Sequence, residues 1–402
     1  MTPASPSTAK HQAKTYSRYS LSVKKWAYLM FLLPLSLPLS SAWIGQYTGQ
    51  WDLAAFYTPL WYFVIIPALD WLIGKDPANP AEEDEAWLSA ERFYKVLTLV
   101  CLPLYLALLV WGAWMLVTAP FSWVGMVGWT ISIGLVGGVA AINTGHELIH
   151  KPTCLEQWAG GLLLAAVSYG SFKVEHIYGH HVDVATPRDG STARLGETIY
   201  GFVPRAFWHN PARAFQLERE AFARRNRRWT PLASELVAWY GASLLYAATC
   251  VAVVALFTQA PWWVGLAYFA GQSVVAIALL EIINFVEHYG LARALVNDGP
   301  LKGRYERVNV THSWNSNFAL TNLLLFQLQR HSDHHAHASR RYQALRHFDE
   351  SPQLPAGYAT MVVLAAIPPL WRRIMDPRVA AYRAASRAAM GAAQVSAKAP
   401  LP

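Results

Sequence analysis

Long apolar runs broken by short polar gaps fill the first three quarters of the chain. Runs at 24–46, 52–73, 94–117, 121–144, 232–257 and 262–285 carry almost no charge. Each has about the twenty residues that a helix needs to cross a bilayer core. The pattern predicts an all-α membrane protein, a bundle of six transmembrane helices between residues 24 and 285. Apolar pieces at 162–167 and 361–370 are too short to span and read as buried or interfacial helices. Gly134, Gly137, Gly138, Ala140 and Ala141 in the fourth run suit close helix approach in lipid.

The polar stretches organise the remainder. Residues 1–23 precede the first span and are expected to be mobile. They are followed by no small-residue cleavage site, so a signal peptide is not expected. Segment 145–231 separates spans four and five, and segment 286–378 follows span six. The tail 379–402 is Ala-rich with scattered Arg and is expected to be a fraying, mobile helix.

Charge sets the orientation. The loops near 47–51, 118–120 and 258–261 contain no Lys or Arg, although the chain has 33 such residues. Under the positive-inside rule both termini and both long polar segments are cytoplasmic. The net charge of +8 is therefore read as topology and as contact with membrane lipid, not as a sign of nucleic-acid binding. The acidic run Glu82-Glu83-Asp84-Glu85 reads as a solvated loop. Cys101, Cys154 and Cys250 are far apart and form no C-x-x-C pair. The chain thus carries no zinc knuckle or iron–sulfur site of its own, and no disulfide is expected.

Histidine changes the picture most. Of 14 histidines, all but His11 lie after Thr144. His146 and His150 form HELIH; His176, His180 and His181 form HIYGHH; His331, His334 and His335 lie in QLQRHSDHHAH, 327–337. Residues four apart share a helix face and can hold one metal side by side. Adjacent helical residues point about 100° apart, so His180 and His181 suit two different metals or a helix end. Eight clustered imidazoles exceed what one metal accepts, and two metals are the economical answer. His288, in NFVEHYGL beyond span six, is a ninth candidate. His312, His337 and His347 have weaker cases, while His11 and His209 read as surface residues.

HELIH also matches the H-E-x-x-H helix of zinc peptidases, with Glu147 as base. An intramembrane zinc metallopeptidase would leave most of the other clustered histidines unexplained. Its third ligand would be sought inside a membrane helix, whereas Asp298-Gly299 lies in a loop after the last span. A metal transporter would place its ligands near the bilayer midplane, and these clusters lie at the cytoplasmic ends of the spans.

Four blocks carry a family resemblance: NTGHELIHK (143–151), EHIYGHHVDVATPRD (175–189), NFVEHYGL (284–291) and HSWNSNFALTNLLLFQLQRHSDHHAHASRRYQALR (312–346). Over roughly residues 20–380 the chain resembles the membrane-bound alkane 1-monooxygenases of bacteria. Xylene-type methyl monooxygenases are related and form the alternative. The resemblance implies a non-haem di-iron centre, two Fe ions held by His146, His150, His176, His180, His181, His288, His331, His334 and His335. It implies a bacterial inner-membrane enzyme that uses O2 to convert the terminal methyl group of an n-alkane to a 1-alkanol. Electrons would come from a separate rubredoxin, itself reduced by an NAD(P)H-dependent rubredoxin reductase.

Further site residues follow as expectations. All-imidazole ligation leaves a cationic centre, which acids behind the ligands would tune. Glu147, Asp183, Glu281, Glu287 and Asp333 are candidates. Glu281 and Asp333 lead, because a carboxylate within an apolar span is costly and usually functional and Asp333 stands among the third cluster. A narrow apolar tunnel should position the alkane by shape, with Trp61, Tyr62 and Trp114 as candidate lining. Arg340 and Arg341, just beyond His335, are candidate docking charges for an acidic rubredoxin. The run Arg224, Arg225, Arg227 and Arg228 reads equally well as topology or lipid contact.

Overall fold

The apolar runs become helices because their backbone groups must pair internally where no water is available. The computed structural model describes residues 14–296 and 302–398. The expected mobile ends, 1–23 and 379–402, thus fall partly outside the described residues, as do His11 and Asp298-Gly299. Among the described residues no strand forms; isolated bridges such as Lys75 with Phe318 are the only β pairing.

Among the described residues five helices are long and apolar enough to cross a membrane: α1 (Arg18–Thr48), α3 (Arg92–Thr118), α4 (Trp123–Ile149), α8 (Glu235–Phe257) and α9 (Trp262–His288). The second expected span, 52–73, differs. It breaks into a short turn of helix, Trp51–Ala54, and a restart as α2 (Tyr57–Ile73). Pro59 explains the restart. It has no N–H to donate and is tolerated only in the first turn of a helix. At 1.5 Å per residue α2 is about 25 Å long, short of a typical hydrocarbon core. The architecture therefore has five full-length candidate spans and one shorter apolar helix.

Helix α9 is the centre of the bundle and packs against both α4 and α8. Small residues set its distance from α4: a Cβ on Gly134 would stand 2.6 Å from Val275 Cβ. Polar side chains inside the bundle pair with one another. Tyr105 donates to Gln272 Oε1 at 3.0 Å, and Gln272 donates to the Ala166 carbonyl at 3.1 Å. The apolar piece at 162–167 continues α5 (Cys154–Ala165), and Leu163 and Leu164 are fully buried. A Cβ on Gly160 would lie 2.9 Å from the Gly145 carbonyl oxygen, so α5 crosses the end of α4 in direct backbone contact.

A helical stretch, α6 (171–183), and the long α7 (Ile199–Arg224) precede α8. After α9 come two short helices, α10 (Ala319–Leu324) and α11 (His331–Ala336), then α12 (Tyr358–Ala365) and α13 (Pro368–Lys398). Asp70 near the end of α2 accepts from the backbone N–H of Thr321 at 3.0 Å and from the Thr321 hydroxyl. That contact ties α10 to the bundle and brings α11 beneath the ends of α4 and α9.

Candidate metal centre

Several of the histidines arrive on helix ends. His146 lies in the last turn of α4 and His150 caps it; His288 is the last residue of α9. Helix α11 begins at His331, and its start is fixed by Arg330, which is 1% exposed. The Arg330 guanidinium donates to the carbonyls of Asp76, Ala78 and Leu345 at 2.7–3.0 Å. Asn315 holds the next residue, its Oδ1 accepting from Ser332 N at 2.8 Å.

The 171–183 stretch is not uniformly α-helical. Residues His176–His180 form a π-turn. Such a turn widens the helix by one residue and is frequent at functional sites. Its effect is on pairing. His146 with His150, and His331 with His335, follow the four-residue rule, but His176 meets His181, five residues on. His180 is turned to a different partner set.

The nine histidines named from the sequence come together as two groups. His146, His150, His176, His181 and His334 form the first; His180, His288, His331 and His335 form the second. Within each, the candidate ligand nitrogens all lie within 4.8 Å of one another. Nε2 atoms face Nε2 atoms: 2.9 Å from His146 to His334, 3.0 Å from His181 to His176, and 3.0 Å from His335 to His331. Among the described residues buried His150 Nε2 and His180 Nε2 have no protein partner. Converging nitrogens with no donor or acceptor between them suit a shared cation, since each would otherwise be a buried polar atom unpaired. Burial, and then the neighbouring imidazoles, push His150, His176, His181, His331, His334 and His335 well below the ordinary histidine range. They are neutral near pH 7, the state a metal ligand requires.

Acids surround the second group. Asp189 Oδ2 lies 2.9 Å from His180 Nδ1. Burial alone would raise the Asp189 carboxyl, but the His180 contacts and the Thr192 hydroxyl hold it below its usual range. Glu287 Oε2 lies 3.1 Å from His331 Nε2, while its Oε1 accepts from Tyr358 at 2.8 Å. Glu281 is fully buried and accepts from Tyr169 at 2.5 Å, Asn284 at 3.1 Å and Asn210 at 3.3 Å. It faces the interior but bonds no ligand histidine. Asp333 also bonds none of the nine; it is gripped by Arg340 at 2.6 and 2.8 Å and by the Arg346 N–H at 2.8 Å, which fixes α11.

Other candidates fall elsewhere. Glu147 pairs with Lys151 at 2.9 Å and accepts from Tyr342 N at 3.2 Å, so the peptidase base is occupied structurally. Asp183 pairs with Arg188 at 2.9 Å. His312 contacts Glu306, His337 contacts Asp333, and His347 contacts Asp349, all outside the two groups; His209 lies 3.3 Å from Asn210 Oδ1. Arg341 pairs with Glu156 at 2.8 Å, and Arg340 also reaches Glu85 at 3.1 Å; both arginines lie in internal ion pairs. Sequence reasoning missed Asp189 and Glu175. The latter is buried next to His176, and burial, then Asp189, raises its carboxyl well above the usual range.

An apolar cavity reaches both groups. Tyr62, Phe63, Val139, Leu279, Ile283 and Val362 line its wall, and His146, His176 and His331 face it. Tyr62 is among the residues that line this cavity. Trp61 is not among the lining residues, and Trp114 belongs to a separate groove with Leu106, Val110 and Phe257.

The fold is that of a membrane protein, and its paired histidine groups could hold metal. The fatty acid desaturase family model matches residues 121–365. Among curated relatives, alkane 1-monooxygenase 2 of Alcanivorax borkumensis is 50% identical over 90% of this chain and 92% of its own length. Alkane 1-monooxygenase 2 of Pseudomonas aeruginosa is 49% identical over 92% and 96%. The xylene/toluene monooxygenase hydroxylase component of Pseudomonas putida is more distant, 29% identical over 61% of this chain and 62% of its own. The chain belongs to the alkane 1-monooxygenase family.

Proposed function

We propose that this protein hydroxylates the terminal methyl group of n-alkanes in a bacterial inner membrane. The carrying observation is the apolar cavity that ends on histidines of both groups. The net reaction is RCH3 + O2 + 2e− + 2H+ → RCH2OH + H2O. Two irons, one in each histidine group, would supply the O2-activating redox chemistry that side chains lack.

The protein's own contribution is placement and exclusion. Buried neutral imidazoles offer lone pairs to a divalent cation, and the buried Asp189 and Glu287 carboxylates offset charge at the second group. The mostly apolar wall gives the chain of an alkane dispersion contacts, and since an alkane has no polar handle of its own, shape must orient it. A methyl end directed past Tyr62 and Leu279 would meet His146, His176 and His331.

Both termini and the metal centre are read as cytoplasmic. Helix α2 acts as the sixth span, which returns the chain to the side where it began. Lys and Arg positions support that orientation. Electrons come from a separate rubredoxin, since this chain lacks the cysteine pairs to hold such iron itself. Arg340 and Arg341 are largely buried, 14% and 17% accessible, whereas Arg188 and Arg224, though paired with Asp183 and Glu220, are 70% and 66% accessible and better placed to steer an acidic donor.

Purified protein should bind about two irons per chain. With rubredoxin, its reductase and NAD(P)H it should convert n-alkanes to 1-alkanols. One zinc per chain with no alcohol formed would overturn the assignment; oxidation of toluene-type methyl groups in preference to n-alkanes would move it to the xylene type.

A further inference from the structure

A second cavity reaches the centre from another side, and its chemistry is opposite to that of the first. His150, Gln157, Lys173, Ile177, Tyr178 and Glu235 line a cleft with mostly polar walls. It lies where α4 ends, α5 begins and α8 begins, at the boundary that the charge pattern assigns to the cytoplasm. Its mouth is marked by an ion pair between Lys173 and Glu235. Trp239 joins that pair, donating from Nε1 to Glu235 at 3.1 Å while its ring faces Lys173 Nζ at 5.2 Å. Further in, Gln157 donates to the Lys151 carbonyl at 2.9 Å.

His150 connects this cleft to the first histidine group. It is one of the two half-buried members of the nine. Its Nε2 is fully buried and has no protein partner. Its Nδ1 is not among the buried unpaired atoms, and no protein hydrogen bond to it occurs among the described residues. A metal-bound histidine ordinarily donates its outer N–H to some acceptor, carboxylate, carbonyl or water. Here the protein supplies none, and the polar cleft is where solvent would provide one.

The proposed reaction, on which this inference rests, consumes two protons and releases one water per turnover. Neither crosses an apolar cavity readily, because water in such a space lacks the two to four polar partners that hold it. We propose that the cleft at His150 is the aqueous port of the metal centre. It admits water, protons and small hydrophilic anions to the first histidine group, while the alkane occupies the apolar cavity on the other side. The Lys173–Glu235 pair stands at its entrance, where it keeps the opening hydrated and closed to acyl chains.

Thiol blocking tests this. The three native cysteines comprise exposed Cys154 and buried Cys101 and Cys250, so Cys154→Ser gives a quiet background. In it, Gln157→Cys places a reactive group in the cleft, to be labelled with a charged, water-soluble methanethiosulfonate. Labelling should run at least about tenfold faster than in the background alone. After labelling, the on-rate of azide at the oxidised iron centre, followed by stopped-flow absorbance, should fall at least about fivefold relative to the unlabelled variant, with alkane affinity unchanged. An unreactive introduced thiol, or an azide on-rate that survives complete labelling, would overturn the port. If Gln157→Cys fails to fold, Tyr178→Cys gives the same readings from the rim, because Tyr178 is 60% exposed and its removal leaves no buried gap. Iron is counted first. A folded chain without two irons counts against the di-iron reading, while labelling, which needs no metal, still reads the cleft by itself.

Discussion

The two histidine groups differ more than their shared chemistry suggests. The first has five members, two of them half-buried, and among the described residues no carboxylate bonds any of the five. The second has four members, all buried, with Asp189 against His180, Glu287 against His331 and Ser313 3.5 Å from His288. Solvent can balance charge at the first. At the second, buried acids must do so, because a cation in a low-dielectric site needs an opposite charge close by. One group has ligands to spare and an aqueous side; the other has a minimal ligand set and an acid-backed, dry side.

That contrast is tested most severely by removing one ligand from each group. His335→Ala leaves three histidines in the second group, one short of ordinary tetrahedral ligation. It should lose about one iron per chain and lower alkanol formation by more than about 100-fold. His150→Ala leaves four in the first group. It should keep most of its iron and lose roughly tenfold in turnover. Equal iron loss in the two variants, measured by metal analysis of membrane-inserted protein, would erase the distinction between spare and minimal sets.

The acids come next. Asp189→Asn keeps the shape but removes the charge behind His180, and Glu287→Gln does the same beside His331. Each should weaken iron binding by about 10–100-fold at one of the two sites, leaving the other unchanged. Chelator competition would show this as a single weakened class. If both sites weaken together, the acids serve the whole bundle rather than the second group.

How much of this was legible beforehand depends on what the sequence encodes locally. Apolar length and four-residue spacing are local, so the helical bundle and the clustered histidines could be read directly. The same nine residues that spacing and resemblance single out are those the fold gathers. The break at 55–56 was in principle legible in Pro59, but a run of apolar residues outweighed it. The pairing of His176 with His181 was not legible, because a π-turn is chosen by tertiary packing rather than by propensity. Nor was the choice between Asp183 and Asp189. Sequence nearness favours Asp183, yet Ala185 adopts φ of 57°, in the left-handed region, in the turn that returns Asp189 to His180. Arg340 and Arg341 show the same limit. Their charge is written in the chain, but their partners Asp333, Glu85 and Glu156 are placed by folding.

Acidification gives the smallest and most selective effect. Burial holds His150, His176, His181 and His334 of the first group, and His331 and His335 of the second, well below their ordinary value. In an unfolded chain each would titrate near about 6.5. Above that pH neither state takes up protons, so stability is indifferent to pH. Below it the unfolded or metal-free, opened chain binds protons that the folded site refuses, and stability falls as pH falls. The two groups should not respond alike. His150 and His181 are half-buried, so protons reach the first group with little opening of the fold, whereas the second group must open to be protonated. At about pH 5.5, one unit below that ordinary value, release of iron to a chelator should be biphasic. About half the iron should leave several-fold faster than the rest, and at pH 7.5 the phases should merge into one slow process. His150→Ala should alter only the fast phase, and Asp189→Asn only the slow one. A single phase at both pH values would mean that the two sites open together, and the half-exposed histidines would then give the first group no separate access to protons.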